Sequence, residues 1–157
     1  MKRKRFAGDA GTSIVELAIT LPVFLFLLVG TIEFGRFGYF AILAANAARA
    51  GAQYGAQNVV TADDDAGIQN AALQDGANLP NWTSNPPQTG VFVTQLCSVN
   101  GAAPASCSTS SQTGPPENTI YYVQVKVTGS FSPILNYPGI PGQIYISGSS
   151  TMRVAEQ

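Results

Sequence analysis

Histidine is absent from the 157 residues of this chain, and charged residues make up only 11% of them. Without histidine the chain cannot form a Ser-His catalytic pair, a His-ligated metal site or a histidine general base. The sequence also shows no nucleophile-base pair, no metal-ligand set and no phosphate-binding loop. These absences argue against an enzyme, a cofactor and a metal site, and they favour a binding or structural protein.

Basic residues are few, and half of them lie at the N-terminus. Lys2, Arg3, Lys4 and Arg5 stand together, whereas the sequence from Thr12 onward has four basic residues against eight acidic ones. Binding to nucleic acid requires a basic surface that neutralises phosphates. The mildly acidic body of the chain therefore argues against a nucleic-acid partner.

Cysteine is also rare, since Cys97 and Cys107 are the two cysteines of the chain. A structural metal site usually needs four ligands, whereas two cysteines ten residues apart suit a disulfide bond in an oxidising compartment. We therefore expect these two residues to form a disulfide outside the cytoplasm.

An uncharged run of sixteen residues, 17–32, lies between Glu16 and Glu33. As a helix it covers roughly 24 Å, against about 30 Å for a hydrocarbon core, so Glu16 is expected at the edge of the bilayer. We predict a membrane-spanning helix at residues 12–33. The basic residues before it place the N-terminus in the cytoplasm by the positive-inside rule, and residues 34–157 outside it.

Three fates are open for this N-terminal segment. A cleaved signal peptide would need a small-residue site just after the run, but the first good one, Ala45–Asn46–Ala47, lies far downstream. An uncleaved anchor explains everything except Gly11 and Glu16. A prepilin leader explains these two as well, because its peptidase cuts after a glycine five residues before a glutamate and leaves the apolar helix on the mature protein.

Several stretches together resemble the TadE-like family of pilus-assembly proteins. They are residues 11–18, Leu21–Pro22, the sequence EFGR at 33–36 and the small-residue segment AANAARAGAQYGAQ at 44–57. The C-terminal sequences TIYYVQVKVTGSFSPILNYPG and ISGSSTMRVAE are more loosely similar to that family's closing strands. The resemblance does not extend to residues 58–118.

The resemblance implies a minor pilin or pseudopilin of the tight-adherence (Flp/Tad, type IVb-like) pilus, a cell-adhesion system. Residues 1–11 would be the leader, with Gly11 its last residue, Thr12 the mature N-terminus and Glu16 the subunit-assembly carboxylate. The implied partners are prepilin peptidase, other pilin or pseudopilin subunits and the assembly platform in the bacterial inner membrane. The implied location is that membrane, crossed once, and then the extracellular pilus. The alternative is an uncleaved, membrane-anchored periplasmic binding or scaffold module.

Two roles remain open for Glu16. After cleavage its carboxylate could pair with the α-amino group of Thr12 in a neighbouring subunit, which would offset the cost of burying both charges in a filament. Alternatively, the side chain simply extends to the cytoplasmic interface.

The N-terminal helix is predicted to continue beyond the membrane to about Gln57. Alanines recur there at three- and four-residue spacing, with Arg49 on the far side (Ala41, Ala44, Ala45, Ala48, Ala52, Ala56). This stripe favours close packing, either on the protein's own domain or on another subunit.

A second helix is predicted at about Asp64–Gly76, capped by Thr61 or Asp63. The acidic run at 63–65 is interpreted as a capping feature, with a cation site as the alternative.

Alternating apolar residues predict a strand at Ile120–Thr128, with partners at 144–152 and 91–96. A small antiparallel sheet with one apolar face needs a cover, and the soluble half of the first helix can provide it. We therefore expect an α+β protein: a long N-terminal membrane-spanning helix that continues into an extracytoplasmic, pilin-like domain (residues 34–157), where it packs on a small antiparallel sheet beside a second short helix.

Overall fold

The structure is a computed structural model that describes residues 9–79, 89–107, 119–134 and 142–155. Its helices are α1 (Asp9–Gly55), α2 (Val59–Ala62) and α3 (Asp65–Asp75), and its strands are β1 (Gly90–Val99), β2 (Ala105–Ser106), β3 (Thr119–Phe131) and β4 (Ile144–Arg153). The chain divides into two compact units, Met1–Arg36 and Phe37–Gln157. Helix α1 contributes residues to both units.

Helix α1 is 47 residues long and contains Pro22 in its interior. It ends at Gly55, two residues before the predicted end. Every residue from 11 to 28 is exposed, so this part of the helix is uncovered on all sides. Within the described part of the chain, α1 is the one helix that is long and apolar enough to cross a membrane, and no residue of its most apolar stretch is buried. These properties suggest a membrane anchor.

The four strands form one antiparallel sheet in the order β2-β1-β3-β4. Val123, Val125 and Val127 of β3 point to the same face and are completely buried, as the alternating sequence predicted. Strands β1 and β3 extend beyond their predicted ends, and the two-residue strand β2 was not predicted.

The domain half of α1 covers the apolar face of the sheet. Ala44, Ala47, Ala48 and Ala52 are completely buried there, while Arg49 is exposed. Three members of the alanine stripe, Ala44, Ala48 and Ala52, thus pack within the protein's own domain, which is the first of the two alternatives. The expected α+β fold, with a long helix on a small antiparallel sheet, is confirmed.

The predicted cap of the second helix was wrong. Asp64 caps α3, where its side chain accepts a hydrogen bond from the Gly67 N–H at 2.9 Å. Thr61 belongs instead to the capping box of α2, in which the Asn58 side chain accepts from the Thr61 N–H. The physical reason is the extra helical turn α2, which uses Thr61 and places Asp63 at its C-terminal end.

Candidate functional site

The predicted cleavage site and carboxylate lie in the first turns of α1. The Gly11–Thr12 bond lies within α1 (Asp9–Gly55), rather than before it. A Cβ atom on Gly11 would meet nothing within 4 Å. Glu16 is exposed and lies one helical turn after Thr12, a spacing at which two side chains share one side of a helix. The predicted topology signal, Lys2 to Arg5, lies outside the described residues.

Threonine hydroxyl groups in the apolar half of α1 donate hydrogen bonds to backbone carbonyls of the same helix. Thr20 Oγ1 donates to the Glu16 carbonyl at 2.9 Å, and Thr31 Oγ1 donates to the Leu27 carbonyl at 2.9 Å. An unsatisfied hydroxyl in hydrocarbon would cost several kcal/mol. Because these bonds lie within the helix, the two threonines are compatible with lipid on every side.

An ion pair lies at the C-terminal end of the apolar half of α1. Glu33 is only 9% exposed, and its carboxylate oxygens lie 3.1 and 3.3 Å from Arg36 Nη1. Pairing with a guanidinium is what makes a buried carboxylate tolerable. The sequence did not lead us to predict this pair, although the i,i+3 spacing of opposite charges was the signal for it.

A disulfide bond joins Cys97 and Cys107, whose Cα atoms are 5.1 Å apart. It links β1 to the segment that follows β2, and Cys97 is the register partner of Ala105. The turn between these strands contains two residues with positive φ, Asn100 at 53° and Gly101 at 78°. The disulfide therefore fastens a short strand to one edge of the sheet.

The acidic run serves structural contacts. Asp64 accepts hydrogen bonds from the Gly67 N–H and from the Tyr54 hydroxyl, each at 2.9 Å, and Asp63 accepts one from Gln95 at 3.0 Å. The hydrogen bond from Gly67, and next the one from Tyr54, lowers the pKa of the Asp64 carboxyl. The hydrogen bond to Asp64 in turn raises the pKa of Tyr54. Among the described residues, no group of three or more acidic or cysteine side chains is placed to hold a metal ion.

The family model described as TadE-like protein matches residues 11–53. This match confirms the resemblance over nearly all of α1, from the Gly11–Thr12 bond through Glu16 and Glu33 to the alanines that cover the sheet. Comparison with curated proteins and with solved structures gave no match. The family suggests a pilin-like protein associated with the Tad pilus, and it indicates association with a membrane and with components of the pilus system.

Proposed function

We propose that this chain is a minor pilin or pseudopilin, a structural or assembly subunit of a tight-adherence pilus. The observation that carries the proposal is the difference between the two halves of α1. Its first half is apolar and exposed on every side, while its second half forms the cover of a folded domain. A filament subunit needs both parts, because the helix holds it in the membrane before assembly and packs among other helices afterwards.

In this proposal the subunit crosses the inner membrane once. The basic N-terminus stays in the cytoplasm and the domain lies in the periplasm. The disulfide supports this orientation, because disulfides persist in oxidising compartments. Prepilin peptidase would remove residues 1–11 on the cytoplasmic side, and the mature subunit would join other pilins or pseudopilins through the assembly platform.

Glu16 would act during assembly. Cleavage creates an α-amino group on Thr12, and the carboxylate of Glu16 in one subunit would pair with that group in the next. In a bundle of helices without water, an unpaired charge costs several kcal/mol, whereas a well-placed pair offsets most of that cost. The pair would therefore favour the assembled state and fix the axial register between subunits.

A second candidate is an uncleaved, membrane-anchored scaffold module. It is favoured by the position of the Gly11–Thr12 bond inside the first turn of α1, because a peptidase must open a helical turn before it can cut there. Both candidates are non-enzymatic.

N-terminal mass analysis of the protein from its native membrane distinguishes the two candidates. We expect a mature chain that begins at Thr12. Gly11→Leu should leave the leader attached, because a large side chain does not fit a pocket made for a small residue, whereas the matched control Gly11→Ala should be processed. A parent chain that retains Met1 in peptidase-competent cells would overturn the pilin proposal in favour of the anchor.

A further inference from the structure

Strand β4 lies at one edge of the sheet, and within the described residues no strand pairs with its outer side. Edge strands can pair with other chains, so proteins usually protect them with charged residues, proline, bulges or very short strands. Strand β4 has none of these protections. It is ten residues long, its register with β3 is continuous, and its only charged residue is Arg153 at its end. Nothing in the sequence of β4 prevents a further strand from pairing there.

The backbone groups available on this edge follow from the hydrogen bonds on the other side of β4. The Val154 N–H, just after β4, donates to the Tyr121 carbonyl at 2.9 Å. In an antiparallel pair, residues that bond to the neighbouring strand alternate with residues that do not. Even-numbered residues of β4 therefore bond to β3, and odd-numbered residues direct their N–H and C=O groups away from it. We call the backbone groups of four odd-numbered residues, all of them exposed, the open edge: Tyr145, Ser147, Ser149 and Thr151.

The opposite edge of the sheet is partly closed. Strand β2 pairs with β1 at Leu96 and Cys97, and the disulfide between Cys97 and Cys107 fastens β2 there. The Cys107 N–H also donates to the Gln95 carbonyl. The structure thus protects part of one edge and leaves the open edge of β4 without a comparable cover among the described residues.

The side chains of β4 indicate the kind of strand that fits beside it. On the helix side of the sheet, Ile144 and Met152 are only partly buried, and so is Ala45 of α1, which lies against Gly148. Because side chains alternate between the two faces of a sheet, every second side chain of an added strand would contact these apolar groups. The other face of β4 carries serine and threonine at residues 147–151. The strand that fits therefore has alternating apolar and polar residues.

A second copy of this chain matches the open edge poorly. Its β1 is free of β2 only over Gly90–Thr94, which is much shorter than the ten residues of β4. Its own β4 could pair antiparallel, but β4 and the domain half of α1 run in the same direction, from Gly148 beside Ala45 to Ala155, whose N–H donates to the Ala56 carbonyl. Two such strands would therefore direct the domain halves of α1 in opposite directions, whereas copies that enter one membrane through this helix share one direction.

We propose that the open edge of β4 is an interaction surface, to which an extended segment of a different protein is added as a further strand of the sheet. The backbone of that segment would bond to the open edge, and its alternate apolar side chains would extend the buried face of the sheet. The proposal requires a protein partner, but it requires neither cleavage at Gly11 nor the pairing of Glu16. It can therefore fail separately from the proposed function.

Photocrosslinking in native cells tests this pairing residue by residue. Benzoylphenylalanine replaces Tyr145, Ser147 or Ser149, one at a time, in the full chain, and it replaces Gln74 on the exposed surface of α3 as a control. We expect the three labels on β4 to crosslink to one segment of one other protein, which the label at 74 should not reach. When the label moves by two residues along β4, the crosslinked residue should also move by two, always in the same direction, because paired strands have a fixed register.

A proline variant tests whether the crosslinks depend on the backbone of the open edge. Ser149→Pro removes an N–H that points away from β3, and proline is tolerated at such a position of an edge strand. The crosslink from position 145 should be lost in Ser149→Pro and retained in the matched control Ser149→Thr, which keeps the N–H. Near-ultraviolet circular dichroism checks that both variants keep the packing of the parent. If Ser149→Pro does not fold, the register of the crosslinks in the parent background decides the test.

Several results would overturn the proposal. Crosslinks from the three labels to a second copy of the chain, or to another segment of the same chain, would mean that the occupant is not a different protein. Crosslinks without a constant register, or no crosslinks at all, would mean that no strand is added. A crosslink from position 145 that survives in folded Ser149→Pro would show that the backbone of the open edge is not used.

Discussion

Gly148 of β4 lies directly against the backbone of Ala44 in α1. A Cβ atom at residue 148 would come within 2.5 Å of the carbonyl carbon and oxygen of Ala44. Backbone atoms cannot turn aside as a flexible side chain can. This close approach sets the distance between the helix and the sheet.

We therefore expect Gly148→Ala to destabilise the domain by about 1–3 kcal/mol, the usual cost of overpacking. The measurement is the free energy of unfolding of the full chain in detergent micelles. Gly38→Ala is the matched control, since a Cβ atom there meets nothing within 4 Å. The control should be neutral, or up to about 1 kcal/mol more stable. Equal losses of unfolding free energy in Gly148→Ala and Gly38→Ala would contradict the close packing of β4 against α1.

Removal of the disulfide should weaken the edge of the sheet. The double variant Cys97→Ser, Cys107→Ser loses a crosslink that closes a loop of about eleven residues, and we expect it to be less stable by about 2–3 kcal/mol. Hydrogen exchange should show the greatest loss of protection near β2, where the Cys107 N–H donates to the Gln95 carbonyl at 3.4 Å.

The disulfide itself can be checked in the parent chain. Unreduced, denatured protein should show no thiol that reacts with a maleimide, and two thiols should appear after reduction. Two reactive thiols before reduction would contradict the bond between Cys97 and Cys107.

Stability in acid should depend on Asp64. The pKa of its carboxyl is lowered in the folded state. The carboxylate therefore contributes its full share of the unfolding free energy above the unfolded-state pKa of about 3.9, and this share is lost as the pH falls through the folded-state pKa. Asp64→Asn keeps an acceptor for the Gly67 N–H but removes this titration. The difference in unfolding free energy between parent and variant should therefore shrink as the pH is lowered below about 4.

Tyr54→Phe provides a second test of the same contact. It removes one of the hydrogen bonds that lower the pKa of Asp64, so its acid dependence should lie between those of the parent and Asp64→Asn. If the difference in unfolding free energy between the parent and Asp64→Asn stays constant with pH, Asp64 is not responsible for the acid dependence.

The sequence predicted the elements that have strong periodicity. The apolar run and alanine spacing predicted α1, and the alternating residues of β3 predicted that its valines share a buried face. The caps were harder to predict, because each of three consecutive aspartates can cap a helix and the extra helical turn α2 has Asp63 at its own C-terminal end. Strand β2 was missed because a two-residue strand carries no periodic signal and depends on pairing with β1.

The roles of Gly11 and Glu16 were predicted from the order of a basic leader, a glycine, a glutamate and an apolar helix along one segment, and they stay predictions. The ion pair of Glu33 and Arg36 was overlooked because Glu33 was interpreted as the end of the apolar run. The partner proposed for Glu16 would belong to another molecule, so no spacing within this chain could identify it.

The most direct test of the central claim is the co-purification of Glu16→Ala with the pilus assembly machinery. We expect this variant to insert into the membrane and to be processed at Gly11, but to be absent from sheared pili and from the assembly complex. Glu16→Asp, which keeps the charge, is the matched control and should retain part of the association. If Glu16→Ala associates with the pilus machinery as well as the parent does, the carboxylate has no role in assembly and the account is contradicted.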